Sequence, residues 1–225
     1  MLSWATLVLG LASAAVIVVD SFIGGNRQPA KVMELVWPVT ALYFGPAAIM
    51  AYREWGRPQS ARWRQRYGNP PKKPRHADVV FGLCHCLAHC TLGAVIATVI
   101  IFGFDINIAG ETLRPLYVGD FVGAVAVGVA FRYATEAHTG GRKVWAAIRS
   151  VVREDLLTVS AVELTLFIWI ALVEHLVFPD VVRPSSPVFW LIHQIGLIIG
   201  FFAAWPATLW LIRRGIRMET PGTPH

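Results

Sequence analysis

The sequence predicts an all-α protein, a polytopic transmembrane helical bundle of about six spans with both termini cytoplasmic. Three observations predict it. Of 225 residues, 55% are hydrophobic and only 15% charged, with a mean hydropathy of +0.53; a soluble domain carries about 25% charged residues. Apolar stretches of the length that crosses a bilayer recur along the chain. Lys and Arg gather in alternate gaps between those stretches, the asymmetry that marks cytoplasmic loops.

The spans follow in order. The first, 2–23, lacks a basic leading region and a small-residue cleavage site, so it reads as a retained helix rather than a signal peptide. The second, 33–52, precedes a basic loop, 53–77, with Arg53, Arg57, Arg62, Arg64, Arg66, Lys72, Lys73 and Arg75. The third is 78–102 and the fourth 116–134. Arg132, Arg142, Lys143, Arg149 and Arg153 mark the next basic gap. Within it, 140–157 sets Val144, Trp145, Ile148, Val151, Val152 and Leu156 at helical spacing among basic residues. That pattern fits an amphipathic helix on the cytoplasmic face, or a solvated helical loop. The fifth span is 158–177 and the sixth 188–212, followed by Arg213, Arg214 and Arg217. The other gaps hold only Arg27, Lys31, Arg114 and Arg183. An even number of spans makes this distribution self-consistent, and one domain, 1–225, contains it all. The net charge of +6 is spread between apolar segments, which argues against a nucleic-acid partner. The bilayer is the expected partner, with other membrane proteins or a second copy of the chain beside it.

All three cysteines and two of seven histidines fall in one run, Cys84-His85-Cys86-Leu87-Ala88-His89-Cys90, inside the third span. At about 100° per residue, His85 and His89 share one stripe and Cys86 and Cys90 the adjacent one. Cys84 points elsewhere. Cys86 and Cys90 on one helix make a poor disulfide, so reduced thiols are expected. Thiols and imidazoles suit copper or zinc, and polar groups at membrane depth mark function. The expected metal ligands are therefore His85, Cys86, His89 and Cys90, completed by other helices. The alternative is that small Cys and Ala residues serve helix packing.

Other intramembrane polar residues extend the set. Glu163 is a candidate to fix a ligating His or to accept a proton, Asp120 and His193 are candidates for a proton path, and Met50 is a soft ligand candidate that apolar packing explains better. No His-Glu-x-x-His, Gly-x-Ser-x-Gly, P-loop or dinucleotide fingerprint occurs in the sequence, so an enzyme is the weaker expectation.

Four blocks carry a resemblance. They are Trp37-Pro38-Val39-Thr40-Ala41-Leu42-Tyr43-Phe44-Gly45-Pro46; His85-Cys86 with Cys90-Thr91-Leu92-Gly93; Glu163 with Phe167 and Trp169; and Gln194-Ile195-Gly196 with Gly200-Phe201, Pro206 and Leu211-Ile212. Together they resemble a bacterial integral-membrane family, domain of unknown function four-three-nine-six, from the second span to the C-terminus. The resemblance implies a multi-pass protein of the bacterial inner membrane and a polar signature at His85, Cys86, Cys90 and Glu163. It brings no established activity. This chain departs from the family pattern at His89, where glycine stands, at Ala94, where an acid stands, and at His193, where methionine stands.

The leading functional expectation is binding or transport of a transition metal, copper first, through the Cys/His cluster. The alternatives are a structural or assembly subunit of a membrane complex, and a haem- or quinone-linked redox protein using a pair such as His89 and His193.

Overall fold

The computed structural model describes residues 1–71, 73–108, 112–136, 144–178 and 182–216. Lys72, Arg142, Lys143, Arg217 and Gly140-Gly141 lie outside these. Every regular element among the described residues is a helix, with no β-strand among them. Five helices are long and apolar enough to cross a membrane: Leu2–Phe22, His76–Gly103, Leu113–Ala134, Val144–Val177 and Pro187–Arg213.

The segment expected as a second span is built differently. Helix α1 (Leu2–Phe22) is followed by α2 (Met33–Phe44), which stops at Gly45 with φ 56° and ψ −131°. That backbone conformation favours glycine. Pro46 then opens a second short helix, α3 (Pro46–Ala51), because a proline lacks the N–H a helix interior needs but suits a first turn. The chain folds back along α2. Trp37 near the start of α2 meets Tyr52 beyond α3, with ring centroids 5.8 Å apart. The Tyr52 hydroxyl donates to Asp20 at 2.8 Å and lies 3.1 Å from Ser21, both at the end of α1. Arg57 pairs with Asp20 at 3.3 Å. Residues 33–52 therefore form a helical hairpin that enters and leaves at the same end of the bundle, not one continuous helix. At about 1.5 Å per residue, the 12-residue α2 reaches only about 18 Å, which is short of a bilayer core.

A short helix, α4 (Ala61–Tyr67), capped by Ser60, which accepts from the Trp63 N–H at 3.2 Å, precedes the central helix α5 (Arg75–Gly103). Helix α6 (Leu113–Glu136) packs antiparallel on α5. The approach is close because a Cβ at Gly93 would run into the Gly123–Ala124 backbone, the small-residue contact that draws membrane helices together.

The amphipathic segment expected at 140–157 is not a separate helix in its described part. Helix α7 (Val144–Ser150) runs through one wider turn, Val151–Asp155, into α8 (Leu156–Val177). No Gly or Pro interrupts 144–177, so nothing breaks the rod. Helix α9 (Pro187–Ala203) then bends at Ala204 into α10 (Trp205–Arg213), with Pro206 in its first turn. Arg132 clasps this wider turn, holding Asp155 at 3.0 Å and Glu154 at 2.9 Å.

Candidate functional site

The Cys/His run lies at the middle of α5, the most enclosed helix, and Cys84, Cys86, His89 and Cys90 are all buried. Its side chains part onto three neighbours. Cys84 faces Thr40 and Tyr43 of the hairpin. Cys86 and Cys90 meet each other and face Glu163 of α8. His85 and His89 turn toward α6, with ring centroids 5.6 Å and 6.2 Å from Phe131. A Cβ at Gly128 would stand 3.4 Å from the His89 ring. The four ligands expected to share one side are thus divided between α8 and α6. Among the described residues, no three His, Cys, Asp or Glu side chains are grouped to hold a metal ion.

Glu163 is the junction. It is 1% exposed and interacts electrostatically with Cys86, Cys90 and His89 on α5 and with Asp120 on α6. Asp120 is fully buried. Neither carboxyl group has a hydrogen-bond partner of normal geometry among the described residues. The Cys90–Glu163 approach is therefore proximity rather than a well-formed hydrogen bond. Ionised carboxylates left in this state cost several kcal/mol each in an apolar interior (about 2.5–3.5 kcal/mol for Asp at the centre of a membrane helix). Two such groups are stable when protonated or when a cation lies beside them.

Two other expected positions fall outside this junction. Met50 is 72% exposed on α3 and does not line the site. His193 of α9 stacks on Phe189 at 4.1 Å, and its Nδ1–H donates to the Phe189 carbonyl at 2.9 Å. That leaves Nε2 as an acceptor, and it has no partner among the described residues. His89 turns toward Phe131 of α6, while His193 packs on Phe189 within α9.

Sequence reading missed the hairpin apex. Leu42 is four residues before Pro46, so its carbonyl finds no N–H to accept from in its own helix. The Gln194 side chain of α9 supplies one, donating Nε2–H to Leu42 O at 2.7 Å. Beside the apex lies a cavity of about 250 Å³ between α1, α5 and α9, bordered by Tyr43, Thr91, Thr98, His193 and Gln194 among apolar side chains. Tyr43 borders this cavity and also lies near the three cysteines. The available signal was the Gly45-Pro46 pair in the middle of an apolar stretch.

No curated protein and no solved structure matches this chain. A family model described as Domain of unknown function (DUF4396) matches residues 77–217, which takes in α5 through α10 and leaves α1 and the hairpin outside. With Cys86, Cys90, Asp120, Glu163 and His193 all inside that match, the chain belongs to the DUF4396 family.

Proposed function

We propose that this protein binds, and through its position in the bilayer transfers, a soft monovalent metal ion, copper(I) first, at Cys86 and Cys90. The observation that carries the reading is the contact between these two thiols and the adjoining Glu163 carboxyl, all buried between α5 and α8. A pair of thiolates is a sufficient donor set for a soft monovalent ion. Zinc takes four ligands in its structural sites, and the division of His85 and His89 toward α6 disfavours it. Each thiol gives up its proton as the metal binds, so affinity rises with pH. Glu163 adjoins both thiols and, in its ionised form, can take one of those protons. His89, on α5 like the two thiols, is an electrostatic neighbour of Glu163.

The topology that supports this reading has five crossings and one re-entrant hairpin. Every described Lys and Arg except Arg114 and Arg183 then falls at one end of the bundle, including Arg27 and Lys31. That end is cytoplasmic by the positive-inside rule. The C-terminus is inside and the N-terminus outside, in place of two cytoplasmic termini. The setting remains the bacterial inner membrane that the family resemblance implies.

The test is elemental mass spectrometry of detergent-purified protein loaded with copper(I) under reducing conditions. Near-stoichiometric copper is expected in the parent and in Cys84→Ala, and loss in Cys86→Ala with Cys90→Ala. Absence of copper from the parent, or equal loading of the double variant, refutes the site. The second reading, an assembly subunit, draws on the close α5–α6 packing at Gly93 and Gly123. It predicts that the double variant is unimpaired and that the protein co-purifies with other membrane proteins.

A further inference from the structure

The base of the hairpin holds a second cavity, of about 390 Å³, unrelated to the cysteine site. One wall is the turn after α1, with Gly24 and Asn26; the other is Arg57, Arg62 and Arg66 with Trp63 and Tyr67 of α4. Three guanidinium groups converge there with one counter-charge. Arg57 pairs with Asp20, whose carboxylate also accepts from Tyr52 and from Asn26 at 3.1 Å. Arg62 donates to the neutral Gly24 carbonyl. Among the described residues no carboxylate pairs with Arg62 or Arg66.

The backbone is shaped around this arrangement. Gly25 has φ +69°, and a Cβ there would stand 2.8 Å from Arg62 Nη1. The Trp63 and Tyr67 rings lie 5.1 Å apart, and the Arg66 guanidinium sits 5.5 Å from the Tyr67 ring centroid. The pocket lies where the apolar run of α1 ends, hence at headgroup depth. Retention of cations on one side of a membrane explains how many arginines there are, but not why three face one cavity. Guanidinium groups pair with phosphate oxygens in a fork geometry, and aromatic side chains settle at the interface.

We propose that this pocket binds the phosphate group of an anionic phospholipid in the leaflet at the Lys/Arg-rich end. The test titrates the full-length chain in mixed micelles with phosphatidylglycerol, phosphatidylcholine or inorganic phosphate, read by native mass spectrometry. Saturable phosphatidylglycerol binding is expected, at least tenfold tighter than phosphatidylcholine and not displaced by millimolar inorganic phosphate. Arg62→Gln with Arg66→Gln is expected to weaken it about 30-fold, while Arg149→Gln, on α7, leaves it unchanged. Equal binding of the two lipids, full displacement by inorganic phosphate, or an unaffected double variant overturns the proposal. The comparison of lipids on the parent protein decides the matter even if the double variant does not fold.

Discussion

Replacing Gln194 by methionine tests how the hairpin apex is held. The side chain keeps its length and loses its donor. The Leu42 carbonyl then has nothing to accept from, because position 46 is proline and the Gly45 N–H already donates to Ala41 at 2.9 Å. An unsatisfied buried acceptor costs about 1–3 kcal/mol. Interhelical hydrogen bonds in membranes average only about 0.6 kcal/mol, because the disrupted state usually finds other partners. Here the local alternative is removed by the proline, and the adjoining cavity is mostly apolar. The expected loss is therefore well above that average, about 2 kcal/mol. It is read as a shift in unfolding by a denaturing detergent in mixed micelles. Gln65→Met, exposed on α4, is the control and stays within about 0.5 kcal/mol. If Gln194→Met also stays within that margin, the reasoning fails. The carbonyl would then be hydrated from the cavity, and the apex would be wet.

Three further outcomes follow from the same geometry. Single cysteines placed at Arg27 and Gln65 are expected to react with an impermeant thiol reagent from the same side, and one at Arg183 from the other; opposite labelling of the first two would restore a six-span arrangement. Arg132→Met removes the cation that Asp155 and Glu154 share and is expected to cost about 3 kcal/mol, measured as detergent-induced unfolding; a neutral result would show that other contacts carry the turn. Burial, and then acceptance of its proton by Asp20, hold the Tyr52 phenol well above its ordinary pKa of 10.0. The neutral form is the one the fold favours, so its contribution is complete below pH 10.0 and is lost as pH rises through the raised value. Absorbance titration should show one fewer tyrosine ionising only at alkaline unfolding in Tyr52→Phe than in the parent.

The helical class and the positions of the long helices were legible because hydropathy reports composition over about 20 residues. Direction is not in that signal. Residues 33–52 have the length and apolarity of a span, yet two local facts turn them back: Gly45 takes a positive φ and Pro46 restarts the helix. Arg27 and Lys31 were a hint, since they fell in a gap otherwise poor in cations. Trp37 is completely covered, by Tyr52 of the returning chain on one side and by Phe81 of α5 on the other. Helical geometry alone pairs Cys86 with Cys90 and His85 with His89. Which neighbour each stripe meets depends on how α6 and α8 flank α5, and no spacing in one helix encodes that. Glu163 and Asp120 were each visible as acids at membrane depth; their approach to one another was not.

The apex, the cavity and the cysteine site share one depth in the bundle, and Tyr43 is where they join. The hairpin reaches the level of Gly10 in α1, where an added Cβ would stand 2.6 Å from Leu42 O. Phe44 beside it abuts Phe201 near the middle of the sixth expected segment, with centroids 5.0 Å apart. Irregular backbone at such depth is tolerated only where protein or a cavity surrounds it. The apex meets that condition on one side through Gln194 and on the other through the Thr40–Tyr43 turn packed toward Cys84. The interruption thus costs the fold a stretch of lipid-spanning helix, but it places a phenol and a carbonyl where a continuous apolar helix would offer neither. This is the physical reason to regard the hairpin as part of the candidate site, although it lies outside the residues matched by the family model.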